Sequence, residues 1–232
     1  MIRSLVVSSL VFGLVSGLLT GCGTTDEDST GGDGSGDVLE GASVFYTWSG
    51  TAWESELSAA PDRVGAYDYM GYGRFIGAGD TVYEWDDASG WSAYTEPAPG
   101  AITGMQYMGY GLFVGVGDTV YEWDDGAGTW NSYTDAAPAT IGGLQYNGYG
   151  LFVSAGTSIY EWSSSSGWSE TESGLPGETH GFSYTGLGKT VAVGDTLYHL
   201  DGDTWTAVNG PAPGAIRGYV TNGYGDFIAA VP

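Results

Sequence analysis

Residues 79–86 read Gly-Asp-Thr-Val-Tyr-Glu-Trp-Asp, and residues 117–124 repeat the same eight letters. Three further copies are looser: Phe45-Tyr46-Thr47-Trp48, Ile159-Tyr160-Glu161-Trp162 and Leu197-Tyr198-His199-Leu200. The five tyrosines are 37, 38, 39 and 38 residues apart, a period that means one supersecondary unit copied along the chain.

Working outward from this segment, each unit also carries a tight-turn tripeptide: Gly71-Tyr72-Gly73, Gly109-Tyr110-Gly111, Gly148-Tyr149-Gly150, Gly186-Leu187-Gly188 and Gly223-Tyr224-Gly225. In the unit around residues 117–124 the pattern predicts four strands, at 102–108, 112–116, 119–123 and 129–133. Three hairpins join them, at Gly-Tyr-Gly, at Gly117-Asp118 and at the Asp-Gly loop, where glycine supplies positive φ. The fourth strand runs into a Pro-containing stretch such as Glu96-Pro97-Ala98-Pro99, which cannot donate to a ladder and so leaves the sheet. A small sheet with two apolar faces is not stable alone. Packing copies around an axis is the expected solution, so the fold class is all-β, a β-propeller of four-stranded antiparallel blades.

The ends of the repeat array set the blade number. The first copy lacks its strands one and two, while the last ends in Asp226-Phe227-Ile228-Ala229-Ala230-Val231, which aligns with Arg74-Phe75-Ile76-Gly77-Ala78-Gly79. Pairing of the two half-blades completes a five-bladed ring and hides the edge strands. The residues Ala66, Gly104, Gly143, Gly181 and Gly218 are small at every copy, as expected for an innermost strand one.

The chain has 232 residues, 42 of them Gly, and a net charge of −23. Such a surface repels nucleic acid and anionic headgroups, which excludes a basic-groove mechanism. Residues 1–21 have the form of a signal peptide, with Arg3 followed by an apolar run at 5–19. They end against Leu19-Thr20-Gly21-Cys22, which resembles the lipobox of bacterial lipoproteins. That resemblance implies cleavage before Cys22 and its acylation. Cys22 is the only cysteine, so no intramolecular disulfide forms. Residues 22–42 then make a lipidated Cys and a Gly/Ser/Asp-rich acidic tether, and 43–232 the propeller. The expected place is the cell envelope, anchored to the membrane through lipid. With Gly23 and not Asp after the Cys, the resemblance implies the outer membrane in a cell with two membranes, and otherwise the outer face of the cytoplasmic membrane.

The order Gly-turn, apolar strand, Gly-Asp turn, Val-Tyr-Glu-Trp-Asp, loop, Trp, Pro-linker resembles kelch-type propeller repeats, at a period shorter than the usual ~50 residues. In that family a Tyr and a later Trp staple strands three and four. Here this implies pairing Tyr46 with Trp53, Tyr83 with Trp91, Tyr121 with Trp130, Tyr160 with Trp168 and Tyr198 with Trp205. The turns Asp124-Asp125-Gly126-Ala127-Gly128-Thr129-Trp130 and Asp201-Gly202-Asp203-Thr204-Trp205 are also similar to the Asp-box of sialidase-type propellers, a structural motif.

Candidate chemistry lies where the copies differ. His180 and Arg217 start strand one in adjacent units, where the others have Gly65, Thr103 and Gly142. Together at a mouth of the central channel they would suit an anion or carboxylate. Asp68, Gln106, Gln145 and Ser183 form a second polar set on the same strand, expected to line the channel or to bond between blades. Tyr72, Tyr110, Tyr149 and Tyr224, inside the Gly-x-Gly turns, offer rings for stacking on sugars, one per blade, an arrangement similar to five-bladed lectins of the tachylectin type. Asp86, Asp87, Asp124, Asp125, Asp201 and Asp203 place carboxylates in glycine-containing loops where calcium could bind. Their spacing lacks a multi-ligand loop, so solvated turns and no cofactor are expected. Nucleophilic catalysis has no motif, and a glycosidase needs two carboxylates from inner strands where only Asp68 stands. The expected function is a non-catalytic, monomeric binding module for a protein or glycan at the cell surface. The alternatives are a lectin using the turn tyrosines and, behind it, a secreted glycoside hydrolase.

Overall fold

The computed structural model describes residues 43–69, 73–108, 111–148, 150–186, 188–222 and 225–231. Twenty strands form five four-stranded antiparallel sheets. Blade II holds β3 (Val64–Tyr69), β4 (Arg74–Ala78), β5 (Thr81–Asp86) and β6 (Gly90–Ala93). Blade III holds β7 (Ile102–Tyr107), β8 (Leu112–Val116), β9 (Thr119–Asp124) and β10 (Thr129–Ser132). Blade IV has β11 (Ile141–Asn147), β12 (Gly150–Ala155), β13 (Ser158–Ser163) and β14 (Gly167–Glu172), and blade V has β15 (Phe182–Thr185), β16 (Gly188–Val193), β17 (Thr196–Asp201) and β18 (Thr204–Val208). Blade I is built from both ends of the array: β19 (Ala215–Asn222), β20 (Gly225–Val231), β1 (Val44–Trp48) and β2 (Trp53–Leu57), paired in that order. The two half-blades meet as expected, with Phe45 opposite Ala229 and Thr47 opposite Phe227.

Each blade is an up-and-down meander because its turns allow nothing wider. The turn between the second and third strands carries a glycine at φ 57–60° in blades II to V: Gly79, Gly117, Gly156 and Gly194. That left-handed region costs a non-glycine residue more. The same turns hold the linkers. Ala98, Ala137 and Ala212 donate to Asp80, Asp118 and Asp195 at 2.6–2.7 Å, and Ile102, Ile141 and Ile216, opening the next blade, donate to Gly79, Gly117 and Gly194 at 2.7–2.8 Å. The Pro-containing linker therefore leaves the ladder but keeps its free N–H groups bonded.

The core lies between blades. Phe45, Ile76, Val114, Val153, Val191 and Ile228, central in their sheets, have no exposed surface. The five innermost strands contact one another in the cycle β3, β7, β11, β15, β19 and back to β3. Where they converge, a Cβ on Gly218 would stand 2.8 Å from the Tyr67 nitrogen and one on Gly104 3.0 Å from the Leu144 nitrogen. The small residues are thus demanded by backbone meeting backbone.

The tryptophans correct the expected staple. Trp91 stands opposite Trp85, not Tyr83, and Trp130 opposite Trp123; Tyr83 faces Ala93. The paired rings lie 5.1 Å apart in both blades. The strand-four indole then reaches out of its own blade to the carbonyl where the preceding blade ends: Trp53 to Gly210 (2.9 Å), Trp91 to Ser58 (3.3 Å), Trp130 to Glu96 (2.9 Å) and Trp168 to Asp135 (2.9 Å). The repeated Trp therefore joins blade to blade as well as strand to strand. Trp53 does so across the junction of the two chain ends.

Candidate functional site

A bulge at the start of strand one builds the site. The register slips between Val64 and Ala66, Ile102 and Gly104, Ile141 and Gly143, and Ile216 and Gly218, leaving Gly65, Thr103, Gly142 and Arg217 outside the ladder. A bulge re-aims its extra side chain. In blade V the equivalent residue is His180, whose N–H donates to Ala192 at 2.9 Å. Arg217, His180 and Thr103 converge with Arg63 on one cavity of about 270 Å³ at the axial end of the ring. A neighbouring cavity of about 330 Å³ shares Thr103 and His180 and adds Glu178 and Thr179.

The sequence pairing of His180 with Arg217 is therefore realised in space, and Arg63 joins it. Arg63 stands one residue before β3, outside the repeat alignment, and its only sequence signal is scarcity: the whole chain has five Lys and Arg. Of the rest, Arg74 is bonded to Glu56 at 2.5 Å and Lys189 to Glu172 at 2.6 Å. Two arginines and one of the two histidines of a chain with net charge −23 thus share one cavity. An anionic group placed there meets positive charge in otherwise negative surroundings, which steers approach as well as holding the group.

The cavity is a dimple, not a channel mouth. Beneath it the ring of Ala66, Gly104, Gly143, Gly181 and Gly218 leaves about 10 Å³ on the axis, room for about one water. Below that ring the second polar set closes the axis further. Ser183 Oγ donates to Gln145 Oε1 (3.4 Å), Gln145 Nε2 to Gln106 Oε1 (2.5 Å), and Gln106 Nε2 to Asp68 Oδ2 (3.2 Å). The Tyr107 N–H donates to the same Asp68 oxygen at 2.5 Å. This belt crosses four blades and stops at blade I, where the equivalent residue is Val220. Asp68 is 2% exposed and its Oδ1 makes no hydrogen bond. Desolvation pushes its pKa up to about 7, against the opposing pull of the Tyr107 and Tyr69 N–H groups. It lies inside the ring, away from the cavity lined by His180 and Arg217.

The turn carboxylates are occupied locally. Asp86 Oδ1 accepts from the N–H groups of Ala88 and Ser89, which lower its pKa, and Asp124 Oδ1 accepts from Gly126 and Ala127. Asp87 and Asp125 accept from the indoles of Trp85 and Trp123. Asp201 and Asp203 lie at the equivalent turn of blade V, Asp203 beside Glu170 and Glu172. Tyr72, Tyr110, Tyr149 and Tyr224, and Cys22, lie outside the described residues.

No protein-family model matches the chain, and no curated protein matches it. Among solved structures it is similar to the extracellular domain assigned to a hybrid two-component system of B. thetaiotaomicron, at a TM-score of 0.47 and 12% identity, over 77% of this chain and 27% of that one. A second structure of the same extracellular domain, there described as part of a one-component system, gives 0.46 and 12% over 79% and 28%. The computationally designed protein Ika8 gives 0.45 and 17% over 76% and 58%. This chain spans about a quarter of the length of that B. thetaiotaomicron domain.

Proposed function

We propose that this protein is a non-catalytic binding module that takes a carboxylate-bearing ligand, protein or glycan, at the axial dimple framed by Arg63, His180 and Arg217. The observation that carries this reading is the convergence of three rare cationic or protonatable side chains on one cavity of about 270 Å³. Guanidinium groups suit a carboxylate because their planar forks match its two oxygens. The non-catalytic reading is supported by the place of Asp68: a carboxylate 2% exposed and bonded into the axial belt cannot meet a polymer substrate. The lipobox-like Leu19-Thr20-Gly21-Cys22 supports anchorage of the ring to a membrane of the cell envelope through acylated Cys22, with residues 23–42 as tether.

The test is calorimetric titration of the intact protein with glucuronate, with glucose as the neutral counterpart. Saturable glucuronate binding, weakened at least about tenfold in an Arg63→Gln/Arg217→Gln variant and falling with added salt, is expected. Equal binding of glucose, or unchanged glucuronate affinity in the double variant, overturns the assignment.

A further inference from the structure

The five clefts between blades are built on one plan, and they are not filled alike. The second-strand residue after each Gly-x-Gly turn is Arg74, Leu112, Leu151, Lys189 or Asp226. In the first four it pairs across to a strand-one tyrosine: Tyr69, Tyr107, Tyr146 and Tyr184. Between blades I and II the Arg74 guanidinium lies 4.4 Å from the centre of the Tyr69 ring and bonds Glu56 of the preceding blade. Between blades IV and V the Lys189 ammonium lies 5.2 Å from the Tyr184 ring centre and bonds Glu172. Two clefts therefore hold a cation of the chain's own, seated on a tyrosine face and against a carboxylate.

Between blades II and III the tyrosine of that seat is present as Tyr107 and no cation of the chain stands there; Tyr94, whose hydroxyl lies 3.5 Å from that of Tyr107, takes the place of the preceding blade's Glu56, and the carboxylates come from blade III itself. Leu112 replaces the cation, is 2% exposed, and lines the cavity that the cleft keeps. A cavity of about 410 Å³ remains over Tyr107 and Tyr94, walled by Trp123 and by Glu122, Asp124 and Asp125. The cleft between blades III and IV also carries a leucine, but there Trp162 covers Tyr133 at 5.4 Å and donates to Asp135 at 2.7 Å. Trp123 is placed differently: its indole is bonded to Asp125 of its own turn at 2.5 Å. The fourth unit has serines at 163–166 and offers no such acceptor carboxylate.

From this we infer that the cleft between blades II and III binds a guanidinium or primary ammonium group from outside, seated on Tyr107 as Arg74 is seated on Tyr69, with Glu122 and Asp125 as counter-charges. The site lies at the opposite end of the blades from the axial dimple, since strand one runs from Thr103 at the dimple to Tyr107 at the cleft, and it stands independently of the function proposed there. A ligand group with a long apolar stem and a charged tip fits a cavity with a leucine floor, aromatic walls and a carboxylate rim. The net charge of −23 favours the approach of such a group.

The experiment is an NMR titration of the intact protein with Nα-acetylarginine amide, following the Trp123 indole N–H, assigned with Trp123→Phe. A saturable shift is expected, at least about tenfold weaker for the neutral citrulline analogue. Binding should be lost in Leu112→Arg, which supplies an internal cation as in the first cleft, and weakened about tenfold in Glu122→Gln/Asp125→Asn. If Leu112→Arg does not fold, the carboxylate variant decides alone. No saturable shift, an equal shift with the citrulline analogue, or arginine affinity unchanged in the carboxylate variant overturns the inference. A parallel titration with spermidine separates the sources of the group: tighter binding of spermidine assigns a free polyamine, tighter binding of the arginine probe a side chain of a protein partner.

Discussion

Replacing Asp68 by Asn should make the molecule more stable at pH 8 and leave it nearly unchanged at about pH 3. The carboxyl is buried with one oxygen bonded to Tyr107 and Gln106 and the other bonded to nothing. Desolvation moves its pKa from 3.8 to about 7. Between those values the folded protein holds a proton that the unfolded chain has released. Stability therefore falls as pH rises through this window and levels off above it. Three pH units at about 1.4 kcal/mol each set a ceiling of about 4 kcal/mol on the loss. Asparagine keeps an oxygen for the two donors and has no proton to lose. Its benefit relative to wild type should grow from near zero at about pH 3, below the unfolded pKa, through about 1 kcal/mol near pH 4.5, towards that ceiling at pH 8. Urea unfolding of both proteins, followed by tryptophan fluorescence at steps across this range, gives the difference directly, and the other carboxylates cancel in it. A difference that stays flat with pH would refute the buried, unsatisfied state of Asp68.

Other perturbations bear on the ring itself. Gly218→Ala puts a methyl 2.8 Å from the Tyr67 nitrogen, so a loss of about 1–3 kcal/mol is expected in the same unfolding assay. Trp130→Phe keeps a ring beside Trp123 but removes the bond to Glu96, and should cost about 1 kcal/mol from the hydrogen bond, with further loss from the smaller ring. Deleting residues 225–232 removes β20, which pairs with both β1 and β19; light scattering should then show oligomers or an expanded chain. A monomer with unchanged melting after that deletion would contradict the closed ring.

Much of this architecture was legible because the repeat states the same local chemistry five times. The hairpins followed from Gly-Asp and Gly-x-Gly at fixed offsets, and the strands they bound in blade III fall within a residue of where they were expected. The closure of β20 onto β1 was readable because the two half-units align with a whole one. The inter-blade role of Trp91 and Trp130 was not readable, since spacing within a unit does not say which side of a blade an indole leaves by. His180 and Arg217 stood out by breaking the repeat at one aligned position. Arg63 did not, because it precedes the aligned strand. The cleft between blades II and III was hidden for another reason: its signal is Leu112 where Arg74 and Lys189 stand in other copies, an ordinary apolar residue until the neighbouring clefts show what it replaces.

The binding assignment at the dimple has a direct spectroscopic test, because the chain has only two histidines. His180 lines the axial cavity, while His199 lies beside Gly188 at the other end of blade V. In a titration of the intact protein with glucuronate, the imidazole proton signals of His180 should shift and saturate while those of His199 stay in place. Signals of His199 moving alone, or both sets moving together, would contradict a carboxylate site at Arg63, His180 and Arg217.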